Sequence, residues 1–187
     1  MMKQNRNTRF LVLALVVAGC LTTARSIRAA DAPRGGSAEV SRLLAEVKNE
    51  VIALKHDTDE LHSWTRPKQV SWQSHAEKLT KIRGHVNQAG KLMAELNKAR
   101  EGASPWQHQA IDRIYPLLKT LADNTQATID HLNDNRSLIH FSPYNDYARA
   151  NYDLAQDLAE LVCGYVDYGN HEDELRRLNE ELQVAAS

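Results

Sequence analysis

From residue 38 onward the chain repeats apolar side chains at alternating spacings of four and three. A first series runs Val40, Leu44, Val47, Val51, Leu54, Thr58 and Leu61, and a second runs Trp72, His75, Leu79, Ile82, Val86, Ala89, Met93 and Leu96. A third gives Ile111, Ile114, Leu118, Leu121, Thr125, Thr128, Leu132, Asn135 and Ile139. A fourth gives Tyr144, Tyr147, Asn151, Leu154, Leu158, Leu161, Tyr165, Tyr168, Glu172, Leu175 and Leu182. A 3.5-residue repeat sustained this long is the mark of helices packed side by side with coiled-coil-like seams. The pattern therefore predicts an all-α chain with helices over about 38–65, 70–101, 105–140 and 143–183.

Punctuation between the series supports these boundaries. Gly102 is placed to end the second helix in a left-handed conformation. Ser104-Pro105-Trp106-Gln107 has the order of a cap, a first-turn proline and a capping-box glutamine. Ser142-Pro143 repeats the cap-then-proline device, and Pro67 separates the first helix from the second. Connections of about 3–5 residues force neighbours to run antiparallel, which gives an up-down-up-down four-helix bundle. Two irregularities are expected. Pro116 should kink the third helix, because it removes an amide donor. The fourth segment outruns its partners, leaving Leu175 to Gln183 overhanging, with a break at Gly169-Asn170 and Asn170 capping a separate terminal helix.

Residues 1–37 read differently. Lys3, Arg6 and Arg9 precede an unbroken apolar run from Phe10 to Ala18, and small residues follow. That is the layout of a secretory signal peptide, too short to span a bilayer. Residues 20–37, rich in small and polar side chains and ending in Pro33-Arg34-Gly35-Gly36, read as a disordered tether. Val17-Ala18-Gly19-Cys20 resembles the lipobox of bacterial lipoproteins. The resemblance implies cleavage before Cys20, lipid on that cysteine and, with Leu21 next, an outer-membrane address. Ordinary cleavage, for example after Ala24, gives a soluble periplasmic protein instead.

Charge narrows the partners. The chain carries 23 basic and 24 acidic residues; without residues 1–19 and their three basic side chains the balance is 20 to 24, a net charge of −4. No basic face for nucleic acid is implied. A protein partner is expected, a lipid anchor is the route to a membrane, and a homo-oligomer fits the overhanging Leu175, Leu178 and Leu182. Of the two cysteines, Cys163 stands in an apolar stretch as a small hydrophobe.

No motif for catalysis or cofactor attachment is present. G-x-S-x-G, H-E-x-x-H, a Walker loop and C-x-x-C-H are all missing, as are the paired E-x-x-H motifs of a di-iron bundle. The histidine–carboxylate spacings His56/Glu60, His108/Asp112 and His171/Glu174 supply two ligands each, fewer than a zinc site needs. No catalytic residue, metal or cofactor is therefore assigned. Counting turns from the end where the first two helices meet places His75, Asn135, Asn151 and Thr58 at one level, beneath Tyr147, Tyr144, Trp72 and Trp64. Such a buried polar layer either fixes register or lines a small-ligand pocket. The expectation is a non-enzymatic, exported helical module with an interaction or structural role. The alternative is a periplasmic bundle that binds a small ligand or metal around His75.

Overall fold

A computed structural model describes residues 37–66 and 70–186. The signal, tether and lipobox readings lie outside those residues, except that Ser37 is the N-cap of the first helix. Pro67 also lies outside them.

Among the described residues the chain is all-helical, with four long helices: α1 Ala38–Trp64, α2 Trp72–Ala99, α3 Pro105–Asp134 and α4 Tyr144–Ala185. Ser37 and Ser71 start α1 and α2, each hydroxyl accepting from the amide three residues on. Packing runs in a ring, α1 on α2, α2 on α3, α3 on α4 and α4 on α1, which makes a four-helix bundle. Cross-helix bonds give the directions. Glu50 meets His85 and Asp57 meets Lys78, so α2 ascends as α1 descends. Lys48 meets Asp167 and His62 stacks on Tyr152, so α4 opposes α1. Asn151 meets Thr125 and Thr128 while Trp106 meets Tyr168, so α3 opposes α4. No described helix is long and apolar enough to cross a membrane.

The core is built from the repeating positions. In α1, Val40, Leu44, Val47, Val51, Leu54, Thr58 and Leu61 are all buried, as are His75, Leu79, Ile82, Val86, Ala89, Met93 and Leu96 in α2. Each large aliphatic side chain fully removed from water contributes about 1.5–3 kcal/mol.

Several local expectations are corrected. α3 ends at Asp134, with Asn135 as its C-cap, so the connection to α4 is nine residues, 135–143, and Ile139 is buried from that loop. Pro143, after a cis Ser142–Pro143 bond, is itself the N-cap of α4. Gly102 closes a 3₁₀ turn, Arg100–Gly102, and no described glycine has positive φ. As the sequence reading had it, α3 runs through Pro116 without ending there.

α4 departs furthest from the pattern. It is one unbroken helix of 42 residues with no break at Gly169-Asn170. Gly169 is buried because Trp106 covers it: a Cβ there would lie 2.6 Å from the indole Cη2. The buried face of α4 is Tyr144, Ala148, Asn151, Ala155, Leu158, Ala159, Val162 and Gly169, not the series through Tyr147, Leu154, Leu161 and Tyr168. Small residues let α4 approach its neighbours closely, and the bulkier residues one position away sit at the margin. Every residue from Asn170 to Ala186 is exposed.

Candidate functional site

The two ends of the bundle carry different chemistry. At the α1–α2 end, His75 in the first turn of α2 is fully buried, and its Nδ1 lies 2.9 Å from the hydroxyl of Tyr144, the first residue of α4. Tyr144 is also fully buried. Trp64 packs edge-on against the His75 ring and His140 lies beyond it, while His131 stacks against Tyr144 and faces Tyr147. Burial, and then proximity to His140, push the His75 imidazole down from its ordinary 6.5 to about 4, against the opposing pull of the Trp64 carbonyl. Burial likewise raises the Tyr144 phenol above its usual range. At neutral pH both groups are uncharged, and the tyrosine hydroxyl and the imidazole Nδ1 share one hydrogen bond. The Nε2 atoms of His75 and His131 are buried without a hydrogen-bond partner.

The expected single polar layer divides in two. Asn151 lies seven positions below Tyr144 on α4, about 10.5 Å along the axis. Its Oδ1 accepts from the Thr125 hydroxyl at 2.9 Å, and its Nδ2 donates to Thr128 Oγ1 at 2.8 Å. Thr128 in turn donates to the Asn124 carbonyl at 2.7 Å. Thr125 thus serves Asn151 across the α3–α4 interface and does not bond back to its own helix. Thr58 is buried but donates to the carbonyls of its own helix at Leu54 and Lys55. Asn135 is only half-buried and donates to the His131 carbonyl of its own helix. Tyr147 is half-buried beside His131. The reason is the nine-residue α3–α4 connection, which sets Asn151 opposite Thr125 and Thr128 instead of opposite Asn135.

A charged network on α1 and α2 was missed by the sequence reading. The Lys78 ammonium lies 2.9 Å from Asp57 and 2.7 Å from Glu60, and over the Trp64 ring. His85 bridges Glu50 at 2.8 Å and Asp57 at 3.6 Å. Burial opposes the Lys78 charge, but the hydrogen bonds it donates to Glu60 and Asp57 outweigh it and hold the ammonium above its ordinary range. His56, Asp57 and Glu60 come close enough together to hold a cation. A lysine ammonium already answers both carboxylates, so the spacing is explained by an ion-pair network. The sequence signals were the His56/Glu60 spacing and Lys78, a charge one position off an apolar series. His108/Asp112 resolves similarly, with Asp112 held by Arg100 in a two-point pair at 2.6 and 2.8 Å.

At the opposite end Gln107, fully buried, joins two helix starts. Its Oε1 accepts from the amides of Ser37 and Ser104, and its Nε2 donates to the Ser37 carbonyl and the Ser41 hydroxyl. The expected capping-box glutamine therefore also fastens α1 to α3. Nearby, a groove of about 510 Å³ opens between α3 and α4, walled by Trp106, Tyr165 and Tyr168, with Gly164 and Leu161 along α4 and Arg113 on α3. It continues past Arg113 to Pro116 and Leu117. Cys163 is half-buried and free.

No protein-family model, curated protein or solved structure matches this chain.

Proposed function

We propose that the chain is an exported, envelope-associated helical module with a non-enzymatic interaction role, in which the bundle, with its coiled-coil-like seams, holds out the end of α4 as a docking helix. The observation that carries this reading is the exposed run from Asn170 to Ala186, in which Leu175, Leu178 and Leu182 are 57%, 42% and 68% exposed on a continuous helix. Large aliphatic side chains at i, i+3 and i+7 favour a partner helix over water. The same stretch is acidic, with Glu172, Asp173, Glu174, Glu180 and Glu181, which opposes adhesion to an anionic lipid surface. The signal-like start and the lipobox resemblance support an address in the periplasm or on the outer membrane through lipidated Cys20. A photo-crosslinking residue in place of Leu182 should give covalent protein adducts in the envelope fraction, whereas one in place of exposed Glu95 on α2 should give none. Equal adducts at both positions, or none at Leu182, would discard the docking role.

A second reading, a small-ligand or metal-binding bundle, is favoured by the partnerless Nε2 atoms of His75 and His131. Under that reading, protein isolated from its envelope carries a bound metal or small molecule by native mass spectrometry, and His75→Ala loses it. Retention of every bound species by His75→Ala removes this reading.

A further inference from the structure

The α4 extension does not carry its leucines in isolation. At 100° per residue, Leu161, Tyr165, Tyr168, Leu175 and Leu182 fall in one strip about 100° wide, which also takes in Glu172 and Asn179, with Leu178 just outside it. That strip is turned roughly 120° from the face that α4 buries in the bundle. Its first half forms one wall of the α3–α4 groove, and its second half lies on the exposed extension. One strip, apolar except at Glu172 and Asn179, is thus half groove and half projecting helix.

We infer that the occupant of this groove is the α4 extension of a second copy of the chain, and that each copy's extension seats in the other's groove across a two-fold axis near His171 and Glu172. The inference rests on the docking role proposed for α4 and names its partner.

The strip is self-complementary when read backwards. With two α4 helices antiparallel and centred between His171 and Glu172, Leu161 faces Leu182 of the second copy, Tyr165 faces Leu178 and Tyr168 faces Leu175. The axis repeats all three pairings, which is the condition for an isologous interface. The same register sets the charges along the strip. Asp173 and Glu174 come level with Asn170 and Gly169 of the second copy, while the two Glu172 carboxylates flank the axis, each with the Tyr168 hydroxyl of its own helix as a hydrogen-bond donor. Arg113, exposed in the groove with no ion-pair partner among the described residues, stands at the level that receives Glu180 and Glu181. A parallel pairing in register instead sets extension against extension and groove against groove, so that neither groove receives an extension. From Leu161 to Leu182 the pairing extends over about 33 Å, three heptads, the length at which such a seam sustains itself. Trp106 and Tyr168, already in edge contact at 5.7 Å, supply the aromatic wall against which the incoming leucines close.

The test uses the full exported chain. Sedimentation velocity at about 100 µM should give a dimer, and Leu178→Glu with Leu182→Glu should give a monomer of unchanged helical circular dichroism, because both positions are exposed. In a Cys20→Ser, Cys163→Ser background, Leu161→Cys with Leu182→Cys should oxidise to a doubly bridged covalent dimer, since the two positions are too far apart on one helix to bridge within a chain. A wild-type monomer at this concentration, a dimer that survives both glutamates, or bridging of Leu182→Cys alone to its own copy overturns the proposal. If the wild type is monomeric yet the Leu182 photo-adducts with another envelope protein persist, the second copy is excluded and the docking role stands. If the adducts are also missing, both fall.

Discussion

Acidification from pH 7 to below pH 4 will remove about 3 kcal/mol of folding stability through His75 alone. The imidazole is fully buried and its pKa is pushed from 6.5 to about 4. In the unfolded chain it returns to about 6.5. Between those two values the unfolded state binds a proton that the folded state refuses. Stability therefore rises with pH across this window, is complete above 6.5, and is lost as pH falls through 4. Two and a half units at about 1.36 kcal/mol each give the figure, a large fraction of the 5–15 kcal/mol typical of a domain. Urea unfolding at pH 7.5, 6, 5 and 4 measures it, with His75→Gln as the reference because glutamine keeps a polar side chain and does not titrate. The difference in unfolding free energy between wild type and His75→Gln should shrink by about 3 kcal/mol toward pH 4. Parallel pH profiles for the two proteins would show that His75 is protonated as easily folded as unfolded.

His75 also shows how far the sequence could be read. Its place in an apolar series announced burial, and burial followed. Its partner was harder to find, since Tyr144 was expected above the polar level and in fact closes onto Nδ1. The difference traces to the connection between α3 and α4. A turn of 3–5 residues was assumed, nine are present, and the levels of α3 against α4 shift accordingly. Loop length leaves only a weak trace in sequence, because Asn135 to Pro143 mixes apolar and polar residues without a clear stop.

α4 was misread for a different reason. Its bulky series through Tyr147, Leu154, Leu161 and Tyr168 has strong hydrophobic contrast, whereas the face that packs carries Ala148, Ala155, Ala159 and Gly169. Small residues bury little area and so signal weakly, yet they permit the close approach that Trp106 makes over Gly169. Helices α1, α2 and most of α3 carry one apolar face each, and their buried residues were legible. α4 carries two, and periodicity alone does not say which faces inward. The surplus face is what makes α4 the candidate docking element.

Asn151→Ala is expected to destabilise the fold by about 2–3 kcal/mol, lowering the melting temperature by roughly 4–12 °C. The amide is fully buried and makes two side-chain hydrogen bonds, to Thr125 and Thr128, both of them also buried. Truncation removes both bonds and leaves a small cavity. The two threonines are affected unequally. Thr128 still donates to the Asn124 carbonyl, so it loses only an incoming donor. Thr125 loses its sole partner and must turn to the carbonyl of Leu121 one helical turn back, which recovers part of the loss. The cost should therefore be concentrated in the Thr125 pair, and a double-mutant cycle of Asn151→Ala with Thr125→Val should show a coupling of about 1 kcal/mol or more, against a smaller value with Thr128→Val. Replacing all three with Asn151→Leu, Thr125→Val and Thr128→Val should restore most of the stability, because removing every partner together strands no polar group. If this triad sets register, the triple variant, though stable, will lose the sharp side-chain NMR dispersion of a single packing. Full stability together with native dispersion would leave the asparagine without a register role, and the choice of a buried amide at position 151 would then need a ligand to explain it.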